Sequence, residues 1–163
     1  MIVIVIIGTI YTLAVSKLQT ISTQSQTPSL TNLKEYLHSF LKEDAKNARL
    51  LCLDDCSECS LYIDGLKEKS VESFLDSTVE VYRYDFLQGV VAIEPKFFFN
   101  EDSVEERVCF SFEIDKNFIS DQVLILYKNR AYDYTKYFTK RVVYNSLDEI
   151  VDAKETDIQE VFR

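Results

Sequence analysis

Four cysteines are the residues of this chain whose type and spacing most directly allow chemistry. Cys52, Cys56 and Cys59 form a C-x3-C-x2-C pattern, and Cys109 stands apart in an alternating stretch. Three thiolates at this spacing plus a fourth could hold zinc tetrahedrally. The C-x2-C pair could instead exchange disulfides, although acidic neighbours oppose the thiolate that such exchange needs. Structural disulfides are the third interpretation, with three possible connectivities.

Other chemistry-bearing residues are sparse. His38 is the single histidine, so a Ser/His/Asp or Cys/His catalytic set would have to be built on it. The acids Asp54, Asp55 and Glu58 could hold calcium, but their spacing matches no calcium-binding motif, and a solvated loop is the better interpretation. With three glycines, phosphate-cradling loops are effectively excluded. The sequence therefore predicts no enzyme, no metal site and no cofactor.

The first sixteen residues carry no charge, and Lys17 is the first charged side chain. Such a run is typical of a membrane helix, which needs about 20 apolar residues, or of a secretory signal cleaved after Ser16. Either interpretation places the remaining chain outside the cytoplasm. Because disulfides form in such compartments, export favours them over the metal and redox roles of the cysteines.

The apolar run resembles the middle of the N-terminal helix of type IV pilins and type II secretion pseudopilins. Val5-Ile6-Ile7-Gly8 matches the Ile-Ile-Gly portion of that helix, and residues 9–15 match the small and apolar residues that come next in it. The family's basic leader, cleavage site and assembly glutamate are expected upstream of Met1. The resemblance implies a membrane and assembly helix that includes Ile2, Val3, Ile4, Val5, Ile6, Ile7, Gly8, Ile10, Leu13 and Ala14.

A second apolar pattern covers residues 29–50 and is typical of an amphipathic helix. The apolar residues recur every three or four positions: Leu30, Leu33, Leu37, Phe40, Leu41, Ala45 and Ala48. The resemblance implies that this is the second half of one long helix laid against a sheet. Pro28 should bend or break that helix, and the alternative is two helices joined by residues 22–29. We expect a membrane helix with a polar extension over 1–27 and an exported globular domain over 28–163.

Strand signals begin after residue 50. Strands are predicted near 50–53, 60–63, 78–85, 90–94, 107–115, 122–127 and 140–144, with turns at Asp64-Gly65 and Gly89. The uniformly apolar 122–127 run predicts a central strand. A short helix should begin after Ser146, with Glu149 at the reciprocal capping position. A long N-terminal helix packed on an antiparallel sheet gives an α+β class.

One basic stretch runs against an acidic background. The chain has a net charge of −9, which disfavours nucleic acid as a partner. Between Tyr127 and Tyr144, however, basic residues alternate with tyrosines, as on surfaces that bind single-stranded nucleic acid. The candidate contacts to a partner protein or to DNA are Lys128, Arg130, Lys136, Lys140 and Arg141.

These observations predict a structural subunit. The expected function is that of a minor pilin- or pseudopilin-like protein of a type IV pilus, type II secretion or competence assembly. Its partners would be other pilin or pseudopilin subunits and the inner membrane, with DNA disfavoured. The expected location is the bacterial inner membrane, crossed once, with the domain in the periplasm or on a filament. The rival interpretation is a membrane-tethered periplasmic binding module unrelated to filaments.

Overall fold

Two antiparallel five-stranded sheets make up most of the domain in the computed structural model, which describes residues 27–161 except Pro95, Glu101 and 138–141. In spatial order, sheet 1 contains β3 (Leu66–Val71), β2 (Glu58–Ile63), β1 (Asn47–Leu53), β7 (Glu105–Asp115) and β6 (Phe97–Phe99). Sheet 2 contains β10 (Val142–Tyr144), β9 (Arg130–Asp133), β8 (Leu124–Tyr127), β4 (Glu80–Asp85) and β5 (Gly89–Ala92). Two helices accompany them, α1 (Leu33–His38) and α2 (Leu147–Val161).

The predicted α+β class with a long helix through residue 50 is wrong. Helix occupies six residues of the 29–50 stretch, and the chain is already in β1 from Asn47. Among the described residues, neither helix is long and apolar enough to cross a membrane. The membrane and assembly helix predicted from Ile2 to Ala14 lies outside the described residues.

Tertiary pairing explains why the helical pattern stops early. Leu33 and Leu37 do pack on the core, as the pattern required, and both are fully buried. Ala48, however, belongs to a period of two, because Ala48, Leu50 and Cys52 point into the core while β1 pairs with β2 on one side and β7 on the other. A strand with two neighbours satisfies its backbone as fully as a helix does, so burial decides between them.

The core lies between the two sheets. From sheet 1 it receives Leu50, Phe110 and Phe112, and from sheet 2 Ile125 and Tyr127, all in one buried cluster. The remaining face of β8 packs under α2, where Leu124 and Ile150 form a second cluster. Because both faces of β8 are covered, its sequence is uniformly apolar, and the prediction of a central strand is confirmed.

Most short-range predictions agree with the structure. Asp64 and Gly65 form the β2–β3 turn, where Gly65 has a φ of +84° that favours glycine. The Asp64 carboxylate also accepts hydrogen bonds from the backbone N–H groups of Lys46 and Asn47. Ser146 caps α2 by accepting from the Glu149 N–H, while the Glu149 carboxylate accepts from the Asn145 N–H, one residue before the predicted partner. The sequence missed β3, β6 and β9.

A buried ion pair fixes α2 on sheet 2. Lys154 Nζ lies 3.2 Å from Asp133 Oδ2, and the two side chains are 11% and 2% exposed. Asp133 Oδ1 accepts from the Thr135 N–H and hydroxyl, so the second oxygen depends on Lys154 for compensation. The Lys154 ammonium also lies over the Tyr84 ring and donates to Thr135. Each charge is therefore buried against a partner.

Removal of Lys154 should destabilise the domain strongly. In Lys154→Ala the Asp133 carboxylate would stay buried without its cation, which costs about 3–5 kcal/mol in comparable sites. Lys136→Ala is the matched control, because Lys136 pairs with Asp157 at 2.8 Å but both side chains are largely exposed. Urea unfolding should show a large decrease in the free energy of unfolding for Lys154→Ala and a small decrease for Lys136→Ala. Equal losses would contradict the structural role of the buried pair.

Candidate functional site

Two disulfides converge where the β1–β2 turn meets β7. Cys52 pairs with Cys59, its register partner across the two strands, with Cα atoms 4.0 Å apart. Cys56 in the turn pairs with Cys109 on β7, with Cα atoms 5.5 Å apart. The sequence favoured disulfides but left their connectivity open. Structural disulfides of this kind persist in oxidising compartments.

The turn that carries Cys56 has an unusual backbone. Asp54 and Cys56 have φ values of 52° and 66°, in the left-handed region that few cysteines adopt. The Cys56 N–H donates to the Leu53 carbonyl, and the disulfide holds the side chain. The Asp55 carboxylate accepts from Ser57, which lowers the pKa of that carboxyl below its usual value. The Asp55 carboxylate thus stabilises a tight turn.

At Cys109, β7 changes its pairing. Cys52 pairs with Phe110 and Leu53 with Val108, so Cys109 is an extra residue opposite β1. Before this bulge, the other edge of β7 pairs with β6, and the Val108 N–H donates to the Lys96 carbonyl. Beyond Phe112, Glu113 exchanges hydrogen bonds with Asp121.

Between those two points the described residues place no strand beside β7. Ser111 and Glu113 are two residues apart, so their backbone groups point to the same side of the strand. Glu113 uses that direction to bond Asp121. Ser111 therefore presents its N–H and C=O to a space that no other described strand fills.

That space is a groove of about 600 Å³ between the two sheets. One wall is the β7 edge from Val108 to Ser111, with the Cys109 disulfide in it. The other wall comes from β4 and the residues after β5. The apolar lining consists of Val79, Val81, Ile93, Val108, Phe110 and Val123. We call this space the β7 groove.

The two ends of the β7 groove differ in charge. Lys96 and Arg107 lie at the β6 end, together with Asp54 and Glu94. Asp121 marks the opposite end, where its backbone and carboxylate bond Glu113. Phe97 and Phe99, next to the β6 end, are 60% and 63% exposed. The groove therefore has an apolar middle, a mixed-charge end beside exposed aromatic rings, and an acidic end.

The sequence did not indicate this groove. Its described residues come from five separate stretches of the chain, near Asp54 and near positions 80, 93, 109 and 122. The alternation of Val108, Phe110 and Phe112 correctly predicted the inner face of β7. No pattern shows that one edge of a strand lacks a neighbour. The short Phe97–Phe99 strand before β7 is the nearest available signal.

The catalytic candidates of the sequence do not form a site. The His38 ring stacks on Phe118 with centroids 3.7 Å apart, and its Nε2 faces the Lys116 carbonyl at 3.3 Å. Within the described part of the chain, no group of histidine, cysteine, aspartate or glutamate side chains could hold a metal ion. His38 instead tethers α1 to the β7–β8 connection.

The basic stretch is divided among separate ion pairs. Lys128 Nζ lies 3.7 Å from Asp76, and Lys136 pairs with Asp157. Arg130 begins β9 and is exposed. Tyr127 and Tyr134 are buried in the core, so they present no face for stacking bases. Lys140 and Arg141 lie outside the described residues.

Asp76 anchors the crossover from sheet 1 to sheet 2. Its carboxylate accepts from the Thr78 hydroxyl and N–H and from the Tyr127 hydroxyl at 2.9 Å. The Thr78 hydrogen bonds above all lower the pKa of Asp76 to about 2. The folded state therefore favours the ionised carboxylate.

Protonation of Asp76 in acid should lower the free energy of unfolding of the wild-type domain. Asp76 has a lower pKa folded than unfolded, so its contribution is complete above about pH 4 and disappears as pH falls towards 2. Between pH 5 and pH 2, the free energy of unfolding of Asp76→Asn should fall less than that of wild type. Asp102→Asn, in the exposed β6–β7 turn, is the control. If the free energy of unfolding depended on pH identically in wild type and in Asp76→Asn, the lowered pKa of Asp76 would be contradicted.

The fold and groove define a disulfide-linked, two-sheet β domain with an open strand edge. Comparisons of the chain with protein-family models, with curated proteins and with solved structures found no match. The function is therefore inferred from the geometry of the domain and from the apolar N-terminal residues.

The two disulfides should contribute unequally to stability. Cys56–Cys109 spans 53 residues and Cys52–Cys59 spans 7. In the chain-entropy model these separations correspond to about 4 and about 2 kcal/mol. Cys56→Ala with Cys109→Ala should therefore destabilise the domain more than Cys52→Ala with Cys59→Ala in urea unfolding. The reverse order would contradict a chain-entropy origin for the difference.

Proposed function

We propose that this chain is a non-enzymatic, protein-binding subunit, held at a membrane by its apolar N-terminal residues, with its β domain in an oxidising compartment. The β7 groove is the observation that carries the proposal. It combines apolar walls with a strand edge beside which the described residues place no other strand, and such edges bind other polypeptides. The two disulfides support the placement of the β domain in an oxidising compartment.

The form that the geometry supports best is a membrane-tethered binding module. The tether would be the uncharged run of residues 1–16. The polar residues 22–27 would link it to Leu30 and α1, which pack into the core. The domain would then face the periplasm, beyond the inner membrane of a bacterial cell.

A minor pilin- or pseudopilin-like subunit is the second candidate. Val5-Ile6-Ile7-Gly8 supports it, because small residues such as Gly8 and Ala14 let apolar helices pack closely. In this form the N-terminal residues pack among like helices, and the β domain lies on the filament or pseudopilus surface. The helix that the family resemblance extended to residue 50 is not part of this proposal.

Membrane attachment is tested with one charge. Ile6→Arg puts arginine in the middle of the apolar run, which costs about 2.5–3.5 kcal/mol on insertion scales. The variant should leave the membrane fraction in a carbonate wash. Gln24→Arg adds the same charge in the polar stretch and should stay bound. Retention of Ile6→Arg would contradict membrane attachment through these residues.

Cross-linking in intact membranes separates the two candidates. A pilin-like subunit should cross-link through a cysteine placed at Gly8 to copies of itself or to neighbouring apolar helices. A tethered module should give monomer at that position and should cross-link through the domain. Monomer in both experiments would contradict the protein-binding function.

A further inference from the structure

We propose that the β7 groove binds an extended polypeptide segment, which adds to sheet 1 as a strand antiparallel to β7. The segment would carry apolar side chains at alternate positions and a basic residue at its N-terminal end. This inference rests on the proposed protein-binding function and names the partner chemistry of the same site.

Hydrogen bonding requires a backbone as the ligand. The Ser111 N–H and C=O point into the β7 groove, and an extended chain supplies the matching pair. The free stretch lies between Val108, which bonds Lys96, and Glu113, which bonds Asp121. At about 3.4 Å per residue, the four residues between them accommodate a strand of roughly four residues. A helix would bring no free backbone groups to this edge.

Apolar packing sets the side-chain pattern. A strand added beside β7 points alternate side chains inwards, towards Val79, Val81 and Ile93 of the opposite wall. The intervening side chains point outwards. The groove should therefore select apolar residues at every second position, and β-branched residues suit an extended strand.

The direction of the added strand decides which of its ends lies beside Asp121. The neighbours that β7 already has, β1 and β6, are both antiparallel to it. A new antiparallel strand begins where β7 ends, which places its N-terminal residue beside Asp121. A basic side chain there faces an acid, and the acids Asp54, Glu80, Glu94 and Asp121 outnumber the bases Lys96 and Arg107 along the lining. Complementarity therefore favours a basic residue at the N-terminal end.

The test uses the full chain in detergent micelles and fluorescein-labelled peptides, with binding measured by anisotropy. The probe is Lys-Val-Thr-Val-Thr-Val with blocked ends. Methylation of the backbone nitrogens that face β7 should weaken binding at least tenfold, while methylation of those that face away should change it little. Equal effects of the two methylation patterns would overturn strand addition.

Direction is tested by moving the charge. Val-Thr-Val-Thr-Val-Lys should bind about two- to fivefold more weakly than the first probe, the size expected of one exposed charge pair. Asp121→Asn should remove that preference, because asparagine keeps an oxygen for the Glu113 N–H but loses the charge. Asp115→Asn, at the last residue of β7 and outside the groove lining, is the matched control. A preference unchanged by Asp121→Asn would overturn the orientation.

The remaining outcomes are also decisive. If neither peptide binds at millimolar concentration, the partner chemistry is wrong, while membrane retention and domain cross-linking still report on the proposed function. If the chain self-associates in sedimentation and charge reversal at Arg107 abolishes this, the occupant is a second copy and the proposal fails. Arg130→Glu, exposed and outside the groove lining, controls for net charge in that experiment.

Discussion

The Cys56–Cys109 disulfide is the constraint on which the rest of the domain depends. It joins the β1–β2 turn to β7 at the residue where β7 bulges. The bulge separates a part of β7 that pairs with β6 from a part that faces the opposite sheet, and this change of partner leaves an edge open. Without the covalent bond, the left-handed backbone of Cys56 and the bulge at Cys109 would be less stable. A bond that stabilises the fold is therefore also part of the wall of the candidate binding site.

The proposed binding function rests on an open strand edge among the described residues and needs no reactive side chain. The β3 edge carries its own protection, because it exposes Lys67, Glu68 and Lys69, whose charges oppose pairing with another chain. The β7 edge lacks such charges and is recessed between Lys96 and Asp121. The net charge of −9 makes the surroundings unfavourable for acidic partners, in keeping with the proposed basic residue of the bound strand.

Local patterns predicted most strands and turns, because each depends on a few adjacent residues. Asp64-Gly65 and the alternation of Val108, Phe110 and Phe112 are examples. The fold class could not be predicted in the same way. Leu33 and Leu37 fit a helix, but Ala45 and Ala48 extended that period by coincidence, since Ala48 is buried by its pairing with β2 and β7. The groove could not be predicted at all. Its walls combine residues from β4, β7 and the connections between the sheets. No sequence pattern distinguishes a strand edge that has a neighbouring strand from one that does not.

The order of the strands has a consequence for how the molecule matures. Cys52 and Cys59 face each other within one hairpin, so their bond can close early from local contacts. Cys56 must wait for β7, which follows β4 and β5 of the other sheet in the chain. Such non-local pairing is slow, typically milliseconds to seconds. During that interval Cys56 remains beside two other cysteines as a thiol that can attack their bond. Correct assembly of the groove is thus a kinetic competition between strand docking and thiol exchange.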